Sequence, residues 1–317
     1  AVGVAMATYI GGGTDIMPLL KNHVRSDREL VFLHQVEEMK GVQEQDGYLY
    51  LGAGERLYDL SENPLVKEKA PAIAQAAGAT ASPQIRNIAT LGGNIMQDRR
   101  CIYFNQSRYW RGGLPYCFKT GGEVCLQIPN SPVCRAIYYS DVATALVLYG
   151  AEAECVEDGT RSWVPIQELL RRHSEANGLA CREHLPVLVV RFRVPVPPAG
   201  ERSGFHKYAM RATIDFPLIN FALYCGGGRP AKLVAGAVAP KPVILDETAT
   251  LLDQPGLSDD QIIAACEAEL KKLAMPIREA CISPAMKREL YTQVRFLMPL
   301  PSRPPAGRTG GWAGRPS

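Results

Sequence analysis

The stretch that decides how this 317-residue chain is read is Asn87-Ile88-Ala89-Thr90-Leu91-Gly92-Gly93-Asn94-Ile95-Met96-Gln97-Asp98-Arg99-Arg100-Cys101. It ends a loop rich in backbone donors and begins a run of four cysteines, so a phosphate-cradling loop and a metal site are expected to meet in it. Within Ala89-Thr90-Leu91-Gly92-Gly93-Asn94, a glycine pair beside a hydroxyl and an amide supplies N–H, O–H and NH₂ donors without bulk.

A second loop of this kind lies far upstream, at Tyr9-Ile10-Gly11-Gly12-Gly13-Thr14-Asp15. It stands between a strand-like Ala7-Thr8-Tyr9-Ile10 and a short helix-like Ile16-Met17-Pro18-Leu19-Leu20-Lys21. Three glycines remove every Cβ from the turn, so its N–H groups can close on an anion, and Thr14 and Asp15 can cap the helix. One such loop reads as a tight turn, but two can hold a diphosphate between them, as a flavin dinucleotide requires. Neither matches G-x-G-x-x-G or G-x-x-x-x-G-K-[ST], which leaves no case for a Rossmann or P-loop site.

Downstream, Cys101, Cys117, Cys125 and Cys134 follow the spacing C-x15-C-x7-C-x8-C, with Tyr109, Trp110, Tyr116 and Phe118 among them. Four thiolates suit tetrahedral zinc or a [4Fe-4S] cluster. The close C-x2-4-C pairing of zinc modules is missing, and the wide spacing leans toward the cluster, with zinc and four unligated thiols still open. The chain has 9 cysteines, an odd number, in a length that needs no disulfide staples. Cys155, Cys181, Cys225, Cys266 and Cys281 read as buried small side chains.

The remaining pattern predicts strands at 30–33, 48–54, 153–156 and 187–194, and helices at 64–77, 142–148 and 166–173. Ala81–Asn87 reads as a loop, and Asp141 as an N-cap. Pro195-Val196-Pro197-Pro198-Ala199-Gly200 is the expected linker. Beyond it come strands around a hairpin (205–208, 218–225, 233–238), a capping box at Ser258 and Gln261, and a last helix opened by Ser283-Pro284. Residues 301–317 read as a disordered Pro/Gly/Arg tail. With 46% hydrophobic residues the chain can bury two cores. A net charge of +3 from 35 basic and 32 acidic residues makes no case for nucleic acid. No apolar run is long enough for a membrane span, and no signal segment opens the chain, so the cytoplasm is the expected compartment. His23, His34, His173, His184 and His206 show no pattern suggesting catalysis.

Gly11-Gly12-Gly13-Thr14-Asp15, Ala89-Thr90-Leu91-Gly92-Gly93-Asn94 and Ser140-Asp141 together resemble the flavin subunit of the xanthine oxidase family of molybdenum hydroxylases. Inside that family, Gln97-Asp98-Arg99-Arg100-Cys101-Ile102-Tyr103-Phe104-Asn105-Gln106-Ser107 and the later cysteines are similar to the medium subunit of the 4-hydroxybenzoyl-CoA reductases, whose loop insertion carries a [4Fe-4S] cluster. The resemblance implies an α+β fold: a vanillyl-alcohol-oxidase/PCMH-type FAD-binding domain at 1–197 with the cluster insertion at 99–136, a smaller α+β C-terminal domain at 202–299, and a tail at 300–317. It implies FAD contacts from Thr8, Tyr9, Ile10, Gly11, Gly12, Gly13, Thr14, Asp15, Thr90, Leu91, Gly92, Gly93 and Asn94, with Thr80 and Ile102 as further candidates. Asp141 would bind the flavin nucleotide and Lys207 would lie near the isoalloxazine. Cys101, Cys117, Cys125 and Cys134 would ligate the cluster.

The implied role is electron transfer, with no catalytic residue in this chain. A large subunit would hold the molybdenum cofactor, a small one [2Fe-2S] clusters, in a dimer of heterotrimers served by a ferredoxin-like carrier. The reaction would be reductive dehydroxylation of an aromatic acyl-CoA, or oxidation of a purine, aldehyde or heteroaromatic ring if only the wider family is the guide. A stand-alone flavoenzyme and a zinc-stabilised scaffold are the alternatives from other classes. The family's leading β-α unit is expected to be missing or truncated.

Overall fold

The computed structural model describes residues 7–27, 29–178, 185–211, 213–279 and 282–298. The tail, Cys181, His184 and Cys281 lie outside them. Strands β1 (Thr8–Ile10) and β2 (Leu30–Phe32) pair in parallel, with Tyr9 opposite Val31. Strands β3 (Val42–Gln45), β4 (Tyr48–Gly52), β5 (Glu152–Glu157), β6 (Thr160–Pro165) and β7 (Leu188–Pro195) form an antiparallel sheet in the order β3-β4-β7-β5-β6. Strands β8 (Glu201–Tyr208), β9 (Ile219–Gly226), β10 (Lys232–Gly236) and β11 (Val243–Ile244) form a second antiparallel sheet, ordered β11-β10-β9-β8.

Helix Asp141–Tyr149 is apolar all round and buried along its whole length, as expected of a helix in the middle of a core. It packs on β9 and β10 on one side and on helix Pro71–Ala79 on another. Alternation along β9 explains how two cores meet at one strand. Ala222 and Tyr224 face the core around helix Asp141–Tyr149, whereas Phe221, Leu223 and Cys225 face the core beneath helix Asp259–Leu273. The second sheet is therefore covered on both faces, and the Pro195–Gly200 connection joins two packed bodies rather than two loosely tethered ones.

Several local expectations need correction. The helix expected over 64–77 is two, Pro64–Lys69 and Pro71–Ala79, because Pro71 cannot donate its N–H and Ala70 before it leaves the helical region at φ −141° and ψ 59°. The Ala81–Asn87 loop contains a helix at Pro83–Arg86, with the Ser82 hydroxyl accepting from Ile85 N. Thr90 to Asn94 is a helix start rather than a turn, with Leu91–Ile95 helical and Thr90 as its N-cap. Strands β3 and β6 went unforeseen, since polar residues dominate both and no apolar alternation marks them. Elsewhere the pattern held: the Ser258/Gln261 capping box opens Asp259–Leu273, Ser283 caps Pro284–Glu289, and Cys155, Cys225 and Cys266 are buried. Burial pushes the Cys155 thiol up to about 12, with Glu157 adding to it, which suits an inert core cysteine. No helix among the described residues is long and apolar enough to cross a membrane.

Candidate functional site

The two glycine loops meet. A Cβ on Gly11 would stand 2.2 Å from Thr90 Oγ1, and one on Gly12 only 1.9 Å from the Ile88 carbonyl oxygen. The glycines are thus required first by each other's loops, since any larger side chain would drive the two apart. Gly13 adopts φ +71°, a left-handed turn that favours glycine. On the other side, a Cβ on Gly92 would lie 2.9 Å from Ala53 Cβ, so this loop is also pressed against the wall behind it.

Between the loops opens a cleft of ≈ 1180 Å³, above the ~300–1,000 Å³ of ordinary ligand pockets and roomy enough for a dinucleotide. Among the described residues, the backbone amides of Gly12, Gly13, Thr14 and Asp15 donate to no protein acceptor. Four successive N–H groups left open at a cleft wall form a concavity suited to an anion. The Thr90 loop contributes differently. Its helix-start amides are already used, Leu91 N donating to Glu55 O at 2.8 Å, Gly92 N to Ala53 O at 2.7 Å and Gly93 N to Thr90 Oγ1 at 3.2 Å. It builds wall and shape rather than supplying free donors. The residues present therefore fit an FAD diphosphate, with the Gly12–Asp15 amides as its seat.

Of the residues expected to touch FAD, Thr8, Tyr9, Ile10, Gly11, Gly12, Gly13, Thr14, Asp15, Thr80, Thr90, Gly92, Gly93 and Asn94 line the cleft. Leu91, Ile102, Asp141 and Lys207 do not. Leu91 is fully buried in the core. Ile102 lies in the cysteine loop, its carbonyl accepting from Gln106 Nε2 at 2.9 Å. Asp15 is not a helix cap, because its side chain makes no capping bond; it pairs with Arg100 and accepts from Asp98 N at 3.1 Å. Asp141 is not the N-cap of its helix either. Ser140 is, with Oγ accepting from Ala143 N at 3.0 Å and donating to Asn94 Oδ1 at 2.6 Å.

Asp141 is instead the centre of a buried polar knot. It accepts from Lys207 Nζ at 2.9 Å and Asn220 Nδ2 at 2.7 Å, while Thr144 Oγ1 donates to Asn220 Oδ1 at 2.9 Å. Burial raises the Asp141 carboxyl above its usual range, and Lys207 and Asn220 pull it partly back. Lys207 Nζ also donates to Ala79 O at 2.9 Å, next to cleft-lining Thr80. The pair therefore meets the cleft wall through the Ala79–Thr80 backbone. It ties β8 and β9 to helices Pro71–Ala79 and Asp141–Tyr149.

Sequence reasoning missed the polar floor of the cleft, made by Arg25, Gln97, Asp98, Arg100, His173 and Asn177. His173 Nε2 is 2.9 Å from the Gln97 carbonyl, and burial lowers its pKa, so it sits neutral with Nε2–H donating. Asp98 and Arg100 lie five and seven residues past the glycine pair, inside the stretch quoted first, and were findable from that proximity. Nothing in the sequence marks Arg25 or Asn177.

The second site lies beside the first. Cys101, Cys117, Cys125 and Cys134 all line one small cavity with Phe104, Phe118 and Lys119. Three of the sulfurs receive hydrogen bonds: Cys101 Sγ from the backbone amides of Tyr103 and Phe104 and from Gln127 Nε2 at 3.8 Å, Cys117 Sγ from Thr120 Oγ1 at 3.6 Å, and Cys134 Sγ from Ala136 N at 3.5 Å. Among the described residues no three His, Cys, Asp or Glu side chains gather tightly enough to hold one metal ion. The four thiols thus share a cavity wall without converging on a single point.

Comparison with known proteins bears on the first site. The family described as the FAD binding domain in molybdopterin dehydrogenase matches residues 4–197, well over half of the chain. The chain is 27% identical over 273 residues to a xanthine dehydrogenase FAD-binding subunit of Escherichia coli O157:H7, covering 84% of this chain and 79% of the relative. It is 26% identical over 260 residues to the aldehyde oxidoreductase FAD-binding subunit PaoB of E. coli K12, covering 78% and 80%. Among solved structures, carbon monoxide dehydrogenase from Hydrogenophaga pseudoflava aligns with a TM-score of 0.69 at 18% identity, over 93% of this chain and 88% of that one. Quinoline 2-oxidoreductase from Pseudomonas putida 86 aligns equally well, at 0.69 and 18%, over 92% and 87%. The expected α+β architecture, a PCMH-type FAD-binding domain followed by a smaller α+β domain, is the one observed.

Proposed function

This chain belongs to the family of FAD-binding domains of molybdopterin dehydrogenases, and from that premise we propose that it is the flavin subunit of a molybdenum-containing oxidoreductase. The observation that carries this is the open row of amides at Gly12–Asp15 facing a dinucleotide-sized cleft. Bound there, FAD would supply two-electron acceptance and one-electron release. The chain's own work is to hold and orient. The Gly12–Asp15 amides would neutralise the diphosphate, Gly11 and Gly12 let the two loops close on it, and Arg100 offsets the Asp15 carboxylate that would otherwise repel the phosphates. No residue of this chain is assigned acid–base chemistry. Substrate would be turned over on a large molybdenum subunit, with a small iron–sulfur subunit between it and the flavin. The xanthine dehydrogenase and aldehyde oxidoreductase subunits it resembles favour a purine, aldehyde or heteroaromatic substrate class.

A specific observation supports a second, finer reading. The four cysteines around one cavity, with N–H donors to the Cys101 and Cys134 sulfurs, suit a [4Fe-4S] cluster in residues 99–136, as in 4-hydroxybenzoyl-CoA reductases. In that reading the complex removes an aromatic hydroxyl with electrons from a ferredoxin-like carrier, and the cluster passes them singly. Purified chain should show flavin absorbance, and copurification with a molybdenum-containing subunit is the expected result; a chain that retains no flavin refutes the first reading. Iron and sulfide analysis separates the second. Cys117→Ser should lose iron while keeping FAD, and unchanged iron in that variant refutes the ligand assignment.

A further inference from the structure

Between the two sites runs a chain of part-buried to buried polar contacts, ending on Asp15 of the glycine loop. Lys119 lies in the cysteine loop between Cys117 and Cys125, only 3% exposed, with its ammonium 4.4 Å from the centre of the Phe104 ring. Nζ donates to the Arg99 carbonyl at 2.8 Å and to Asn177 Oδ1 at 2.9 Å. Asn177 follows helix Ile166–Ala176 as its C-cap, accepts from Arg99 N at 2.7 Å, and donates through Nδ2 to Asp98 Oδ1 at 2.6 Å. Asp98, 5% exposed and 3.6 Å from Arg25, donates its backbone N–H to Asp15 Oδ2 at 3.1 Å. Asp15 is the last of the four residues whose amides stand open at the cleft.

A cysteine loop that merely covered the surface would need no ammonium at this depth. An apolar side chain on the Phe104 ring would pack there without desolvating a charge. The cation instead terminates a connected network of hydrogen bonds, which holds a segment in one discrete arrangement. The contacts lead from Lys119 in the cysteine loop through Asn177 to Asp98 and Asp15, all three of which line the flavin cleft. The last link is a residue of the phosphate seat itself.

We propose that Lys119 is a positioning residue: by holding Asn177 and Asp98 it sets Asp15, so the cysteine loop keeps the glycine loop in the form that grips the FAD diphosphate. This rests on the flavin reading above. The test uses the full chain stripped of flavin and titrated with FAD by flavin fluorescence. Riboflavin, which lacks the diphosphate, serves as the second ligand, and iron content is measured in parallel.

Lys119→Met should weaken FAD binding at least ~10-fold, a loss of one charge-assisted contact's worth of order, and leave riboflavin binding unchanged. Asp98→Ala, which removes the acceptor of the Asn177 amide, should do the same, and the double variant should be no weaker than the worse single one, because both remove links of one chain. A general structural defect would lower both ligands together and is excluded only if riboflavin binding holds, so a parallel loss of both overturns the proposal. Effects that multiply in the double variant overturn it too, as does Lys119→Met binding FAD within about twofold of wild type. If Lys119→Met does not fold, Asn177→Ser cuts the chain one link further on, and unchanged FAD affinity in that variant is equally decisive. Wild-type chain that binds no FAD would instead overturn the flavin reading and this proposal with it, a result distinct from all the others.

Discussion

Substituting Gly12 by alanine tests the central geometric claim most directly. The added Cβ would fall 1.9 Å from the Ile88 carbonyl oxygen, 2.6 Å from its carbon and 3.0 Å from Ala89 Cα. All three are backbone atoms, so no side chain can swing away to relieve the clash. To restore a normal contact the glycine loop must retreat from the Ile88–Ala89 segment by roughly 1 Å or more, since hydrogen-bonding and van der Waals contacts lie near ~3 Å. A displacement of that size takes one or two of the Gly12–Asp15 amides out of hydrogen-bond range of a phosphate. Each bond to a charged group contributes ~1.5–3 kcal/mol, so the expected loss is about 3 kcal/mol, or ~100-fold in the FAD dissociation constant. Flavin fluorescence titration of the stripped chain measures it. Gly78→Ala is the control: its Cβ meets Ser61 Cβ at an ordinary 3.5 Å inside helix Pro71–Ala79, where alanine favours the helix by ~0.5–1 kcal/mol. Should Gly12→Ala bind FAD as tightly as Gly78→Ala, the account of the two loops closing on a diphosphate is wrong.

Lys207→Met strands the Asp141 carboxylate, whose side chain is 2% exposed, and breaking a buried pair of this kind costs ~3–5 kcal/mol of stability. With its cation gone the already raised Asp141 carboxyl rises further, and a raised acid gives its full stability below the unfolded value and loses it as pH climbs through the folded one. The urea midpoint deficit against wild type should therefore be larger near neutrality than in mild acid, while FAD affinity falls far less than in Gly12→Ala; a deficit that does not vary with pH contradicts the assignment. His173 is held neutral by burial, so its pKa lies below the ordinary 6.5. A depressed base contributes stability above its unfolded pKa that is lost as pH falls below it, so wild-type unfolding should become easier from about pH 6.5 downward. His173→Gln should flatten that acid-side slope in urea titrations, and a slope identical to wild type would show that His173 does not govern it.

Much of the first site was legible because its determinants are local. A run of glycines removes Cβ atoms wherever it folds, so the two glycine loops could be read as places where backbone approaches something closely. Ser258/Gln261 and Ser283-Pro284 were equally readable, since capping acts between residues three apart. The ambiguous cases are those where one residue type serves two ends. Asp15 stands at a helix N-cap position and Asp141 one residue past one, and both spend their carboxylates on distant partners, Arg100 and Asp98 in one case and Lys207 and Asn220 in the other. Local spacing cannot decide that choice, because the competing partner arrives from elsewhere in the chain.

By itself the sequence determined the glycine loops, the four-cysteine spacing, the caps and the apolar helix over 142–148, all properties of neighbours within a few residues, where backbone sterics and short-range hydrogen bonding act. Only the tertiary structure decided that Gly12 lies against Ile88, that the four cysteines share one cavity, and that Lys119, Asn177, Asp98 and Asp15 join into one chain between the sites. Those contacts span long separations, and a buried lysine or asparagine looks like any surface one until the fold removes its water and leaves each polar atom a single partner to find.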